Sequence, residues 1–100
     1  MTGQTIIDKI TSQKKDLSNF GIIRLGLFGS AVRDEITKKS DIDILVEFKP
    51  SKKTFRNFMD TVEYMENLTG RPVDIVTPES LSPYIKPHIL KEIVYVEIAN

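Results

Sequence analysis

Hydrophobic positions in the first third of the chain change from a helical to a strand-like period. Apolar residues recur at roughly helical spacing between residues 5 and 19, and Gly21 follows as a C-terminal stop, which predicts an amphipathic opening helix. Residues 22–28 form an apolar run of strand length that ends abruptly at Gly29 and Ser30. The sequence therefore predicts a first strand that leads the chain into a tight turn.

The middle of the chain repeats this change of period. Residues 41–48 alternate at first and then become continuously apolar, a pattern typical of a largely buried strand. Apolar residues from position 55 to position 68 fall at helical spacing and predict a helix that ends at Gly70. The short run at residues 72–76 then predicts a third strand.

The last segment, residues 82–100, has a weaker pattern. It predicts a helix through His88 and Leu90, whereas residues 93–96 fit either a strand or a final helical turn. The elements follow in the order helix, strand, strand, helix, strand, helix, without repeats or internal linkers. We therefore expect one α+β domain over residues 1–100, with helices packed on a small mixed sheet.

Composition narrows the classes of function. One hundred residues suffice for one core but not for a second domain, so we expect any large acceptor to arrive with a partner. Fourteen basic and fourteen acidic residues cancel, so strong nucleic-acid binding is not expected. The sequence shows neither a membrane-spanning segment nor a secretory signal, which predicts a cytoplasmic protein. Because cysteine is absent and histidine occurs once, we expect oxygen ligands for any metal.

Three aspartates in predicted strands are the candidate chemistry. Residues two apart on a strand share a face, so Asp41 and Asp43 project together, with α-carbons roughly 6–7 Å apart. Two carboxylates on one face of a buried strand repel each other unless a proton or a cation neutralises them. Magnesium prefers such oxygen ligands. Asp74 supplies a third carboxylate if its strand lies beside theirs.

Gly29 and Ser30 supply the complementary half of a site. A tight turn from a strand presents backbone N–H groups and a hydroxyl to an anion, and glycine lets a phosphate approach closely. Three carboxylates that face such a turn match the parts needed for two-metal nucleotidyl transfer. The EF-hand alternative fails because Leu45 and Val46 occupy positions that need Asp or Asn and glycine.

Two further features are ambiguous in the sequence. Aromatic and methionine residues of the predicted central helix form a stripe that fits either the core or a homodimer surface, namely Phe55, Phe58, Met59 and Met65. His88 stands alone in the C-terminal segment, and a lone histidine is more often a surface or packed residue than a catalyst. We assign it no role.

The spacing of the candidate residues is similar to that of a known family. Gly29-Ser30 is followed by ten residues and then by Asp41-Ile42-Asp43, and this signature belongs to minimal (MNT-type) nucleotidyltransferases of the DNA polymerase beta superfamily. The resemblance extends over almost the whole chain, through Phe28, Arg33, Ser40, the apolar residues 44–46 and Asp74 in a Val-Asp-Ile-Val strand. It implies a nucleotidyltransferase fold like the polymerase beta palm.

The resemblance also implies a role for each residue. Gly29 and Ser30 would hold triphosphate oxygens, and Arg33 would steady a phosphate. The catalytic and metal-binding set would be Asp41 and Asp43, which bind both Mg²⁺ ions, and Asp74, which completes the nucleophile-side site. The sequence departs from the family at Asp34, where many relatives have glycine.

The function implied is Mg²⁺-dependent transfer of AMP from ATP to a hydroxyl on a partner protein. The resemblance points to a tyrosine of an HEPN-domain ribonuclease toxin as the acceptor, since relatives act as antitoxins in this way. Two alternatives stay open. One is a catalytically weak antitoxin that covers its toxin, and the other is the subunit of an RNA-modifying nucleotidyltransferase.

Overall fold

A four-stranded mixed sheet forms the centre of the structure, a computed structural model that describes residues 1–99. Its strands are β1 (Ile22–Phe28), β2 (Ile42–Phe48), β3 (Val73–Val76) and β4 (Val94–Glu97), in the spatial order β3-β2-β1-β4. β1 pairs antiparallel with both β2 and β4, whereas β2 and β3 are parallel. The α+β class and the mixed sheet are confirmed.

Helices cover the sheet on two sides. They are α1 (Gly3–Ser12), α2 (Lys14–Asn19), α3 (Phe55–Thr69) and α4 (Lys86–Glu92). Short 3-10 turns follow β1, β2 and β3, at Gly29–Ala31, Pro50–Lys52 and Pro78–Ser80. Within residues 1–99 no helix has the length and apolar character needed to cross a membrane.

The two faces of the sheet differ in what packs against them. Along β2, Ile42, Ile44 and Val46 join the main core with buried residues of α1, α2 and α3. The alternate position Leu45 belongs to a second, smaller cluster with Phe28 and Ile89 of α4. This alternation follows from the period of two in a strand, and it leaves Asp43 on the same face as α4.

The predicted opening helix is in fact two helices that meet at Gln13. Gln13 has φ −118 and ψ 25, outside the helical range, and its backbone N–H donates to the Ile10 carbonyl at 3.0 Å, three residues back instead of four. The break brings Gln13 to the side chain of Tyr64, whose hydroxyl lies 3.1 Å from Gln13 Oε1. The prediction of one continuous helix was wrong at this residue.

The C-terminal segment, of which residue 100 lies outside the described residues, contains a strand at Val94–Glu97. Residues 93–96 fitted two conformations in the sequence, and the structure places β4 against β1, with Val96 opposite Leu25 and buried. The stripe on α3 is divided: Met65 is fully buried, whereas Phe55 is 80% and Met59 45% exposed. The stripe therefore supplies part of the core and part of the surface.

Candidate functional site

Two paired strands bring the predicted carboxylates together. Asp43 of β2 is the register partner of Asp74 of the parallel strand β3, and Asp41 lies immediately before β2. The adjacency of the two strands, on which the prediction of Asp74 depended, is confirmed. The three aspartates come from two segments that are joined by the whole of α3.

The charges of these aspartates act on one another. Asp43 is half-buried, whereas Asp41 and Asp74 are exposed. Partial burial raises the pKa of Asp43 above its ordinary value, and the negative charges of Asp74 and then of Asp41 raise this pKa further. A divalent cation between the carboxylates would offset both the cost of burial and the repulsion between the charges, because it favours the ionised form of each carboxylate.

The donor set fits a hard cation that also binds phosphate. Magnesium is usually held by one or two carboxylates together with water and substrate phosphates. In the part of the chain that the structure describes, no group of three or more acidic, histidine or cysteine side chains is arranged so that it could hold a metal ion by itself. The aspartates could therefore supply only part of a ligand set, and water or phosphate oxygens would have to complete it.

The turn after β1 lies directly against Asp43. Gly29 begins this turn with φ +74, in the left-handed region that favours glycine. A Cβ atom added to Gly29 would overlap a carboxylate oxygen of Asp43, with Asp43 Cγ only 3.2 Å away. Gly29 thus stands beside Asp43, and Ser30 follows it in the same turn.

Arg33 extends from the same turn toward two glutamates. Its Nε donates to Glu35 at 2.8 Å, and its Nη1 lies 3.0 Å from both carboxylate oxygens of Glu92. The positive charge of Arg33 lowers the pKa of Asp43, so the guanidinium acts on the aspartate cluster. Sequence reasoning missed Glu92, because it lies at the end of α4 and no local motif marks it.

Asp34 explains the departure from the family pattern in physical terms. Its φ is 56°, and it is the only residue other than glycine with a positive φ among those described. Glycine is favoured at such a position, and aspartate is one of the few other residues that adopt it readily. The side chain of Asp34 is exposed, so it removes no predicted ligand.

A second arginine fixes the loop that precedes Asp41. Arg71, between α3 and β3, donates from Nη1 to the carbonyl oxygens of Thr37 and Ser40 at 2.6 and 3.4 Å. The Ser40 hydroxyl in turn accepts from the Thr37 backbone N–H at 2.9 Å. Arg71 was not predicted from the sequence, because both of its partners are backbone atoms distant in the chain.

His88, to which the sequence assigned no role, is exposed on α4.

Comparison with known proteins agrees with this geometry. The family model described as "Nucleotidyltransferase domain" matches residues 7–96. The chain is similar to protein adenylyltransferase MntA of Thermococcus cleftensis, with 40% identity over 96% of this chain and 97% of the relative. It also has 37% identity to a candidate protein adenylyltransferase of Methanocaldococcus jannaschii, over 87% of this chain and 90% of the relative.

Solved structures share the fold. A candidate minimal nucleotidyltransferase superposes with a TM-score of 0.74 and 28% identity, over 94% of this chain and 95% of that chain. A chain of the toxin–antitoxin complex MntA–HpeT superposes with a TM-score of 0.67 and 17% identity, over 95% of this chain and 72% of that chain. A chain of a toxin–antitoxin complex with AMP-PNP gives 0.69 and 20%, over 89% of this chain and 70% of that chain. The last two likenesses concern the fold alone.

Proposed function

Because the chain belongs to the nucleotidyltransferase domain family, we propose that it transfers AMP from ATP to a hydroxyl of a partner protein, the toxin of a toxin–antitoxin pair. The observation that carries the proposal is the register of Asp43 with Asp74, with Gly29 packed against Asp43. This arrangement supports the proposal, because nucleotidyl transfer requires carboxylates for metal ions beside a turn that can accept phosphate oxygens.

Each residue has a role in the proposed reaction. Asp41, Asp43 and Asp74 would hold two Mg²⁺ ions, which when bound neutralise the triphosphate and make the acceptor hydroxyl more acidic. Gly29 lets a phosphate approach the backbone, and the Ser30 hydroxyl and the Arg33 guanidinium donate to phosphate oxygens. The acceptor oxygen forms a bond to the α-phosphorus while the bond to pyrophosphate breaks. Asp74 takes the proton that the hydroxyl loses.

The names of similar proteins support a protein as the acceptor. The similar protein of Thermococcus cleftensis is a protein adenylyltransferase named MntA, and chains of the same fold occur in toxin–antitoxin complexes. The resemblance to MNT-type enzymes adds a tyrosine of an HEPN-domain toxin as the acceptor. The cancelled charge of the chain argues against RNA as an alternative acceptor.

Labelling tests the reaction. The protein is incubated with α-labelled ATP, Mg²⁺ and its proposed acceptor, an HEPN-domain toxin from the same genome, and we expect label on a tyrosine of that toxin. Asp43→Asn should abolish the labelling, whereas Asp8→Asn, the same substitution on the exposed surface of α1, should leave it intact. Equal labelling by both variants, or labelled RNA without labelled protein, would contradict the proposal.

A second function is a weak enzyme that neutralises its toxin by covering it. One observation favours this alternative: Arg33, a proposed phosphate ligand, is already paired with Glu92. If the double variant Asp41→Asn, Asp43→Asn protects cells from the toxin as well as the wild type does, covering is sufficient.

Self-association through the exposed Phe55 and Met59 stays a prediction, which sedimentation of the isolated chain would test.

A further inference from the structure

The ion pair between Arg33 and Glu92 connects the turn after β1 to the C-terminal end of α4. Arg33 reaches both carboxylate oxygens of Glu92 with one nitrogen and Glu35 with another. The Glu92 side chain is 28% exposed, whereas that of Glu35 is 59% exposed. Glu92 is therefore the more enclosed of the two anions, and it comes from a different element.

The negative charge of Glu92 also acts on the nearby aspartates. Its negative charge contributes to the raised pKa of Asp43, and the charge of Arg33 opposes that effect. Glu92 is the last residue of α4, and free carbonyl oxygens at the C-terminal end of a helix disfavour a carboxylate there. Helix stability therefore does not account for an acidic residue at this position, whereas the pairing with Arg33 does.

We propose that Glu92 is an internal substitute for a nucleotide phosphate, which holds the Arg33 guanidinium until the triphosphate displaces it. Carboxylate and phosphate oxygens accept the same N–H donors from arginine, so the two anions compete for one guanidinium. Glu92 is a positioning residue that lowers the affinity for the nucleotide. Binding of the triphosphate frees the end of α4 from the turn. This inference rests on the proposed nucleotide site and names one determinant of its affinity.

Calorimetric titration with AMP-PNP and Mg²⁺ tests the competition without requiring turnover. Glu92→Gln keeps the shape of the side chain and removes its charge, so we expect the Kd to fall by about two- to fivefold, the range of an exposed ion pair. In the background of Arg33→Ala, the same substitution should lose its effect. Glu79→Gln is the matched control, because Glu79 also pairs with a cation, Lys53, at 2.7 Å, and should leave the Kd unchanged.

The possible outcomes separate this inference from the proposed function. An unchanged or higher Kd in Glu92→Gln overturns the inference while nucleotide binding stands. An equal fall in Kd with and without Arg33 also overturns it, because Glu92 would then act by simple repulsion of the phosphates. If neither the wild type nor Glu92→Gln binds AMP-PNP, both the inference and the proposed nucleotide site are refuted.

Discussion

Replacing Gly29 by alanine tests whether the turn after β1 must lie directly against Asp43. Gly29 has φ +74, and a Cβ atom added there would overlap the Asp43 carboxylate. Gly70 is the matched control, because its φ is +70 and an added Cβ atom would meet nothing within 4 Å. Both substitutions carry the same backbone strain, but only the substitution at Gly29 intrudes on the site.

The expected magnitudes follow from this difference. An alanine in the left-handed region costs roughly 1–2 kcal/mol, and each kcal/mol lowers the Tm of a domain of this size by about 4–8 °C. The extra methyl group at Gly29 adds little to that cost if the Asp43 carboxylate rotates away. Such a displacement of about 1 Å in a catalytic group reduces rates by about 100-fold. We therefore expect similar Tm values for the two variants, and a loss of AMP transfer only in Gly29→Ala.

The assay measures the Tm of each variant by thermal unfolding and then compares their rates of AMP labelling at a temperature at which both variants are folded to the same extent. The reasoning is refuted if Gly29→Ala transfers AMP at a rate within about threefold of Gly70→Ala. A large loss of transfer in Gly70→Ala would refute it as well, since strain alone would then explain the effect.

Two further predictions concern Asp43 and Arg71. Burial and the charges of Asp74 and Asp41 raise the pKa of Asp43, so between the ordinary carboxyl pKa and this raised pKa the folded protein holds a proton that the unfolded chain releases. The stability of the metal-free protein should therefore fall as the pH rises through this interval. Asp43→Asn should therefore have a higher Tm than the wild type at neutral pH in EDTA, with the difference lost at acidic pH. A more stable wild type in neutral EDTA would contradict this cause of the pKa shift. Arg71→Ala removes two bonds to the loop before Asp41, so labelling rates should fall by roughly ten- to 100-fold with a stability loss of about 1 kcal/mol. Unchanged labelling by Arg71→Ala would show that the loop is held without it.

The parts of the fold that were predictable are those encoded by local periodicity. The runs that form β1 and β2 have strand length and clear ends, and the spacing on α3 is helical up to Gly70. The break at Gln13 was not predictable, because no glycine or proline marks it and the contact of Gln13 with Tyr64 joins residues that are distant in the sequence. Local pattern thus predicted the type of each element better than its continuity.

The residues of the candidate site also differ in how far the sequence predicted them. The pairing of Asp43 with Asp74 was predicted as a condition, since two isolated aspartates on short strands are useful together only if the strands are neighbours. Glu92 and Arg71 were missed because each acts on a group that is remote in sequence, a guanidinium in one case and two backbone carbonyls in the other. Residues that support a site from a distant part of the chain form no motif with fixed spacing, so sequence patterns do not identify them.

The parallel pairing of β2 with β3 has a consequence for how the site comes into being. Parallel neighbours need a crossover, and here the crossover is α3, which packs on the face of the sheet opposite Asp43. A folding chain that has formed the β1–β2 hairpin possesses Asp43 but not its partner from β3. Contacts between residues so far apart in sequence form slowly, because loop closure comes before any gain from pairing. The proposed metal centre is therefore absent from every local fragment of the chain, and it forms only when folding across the crossover is complete.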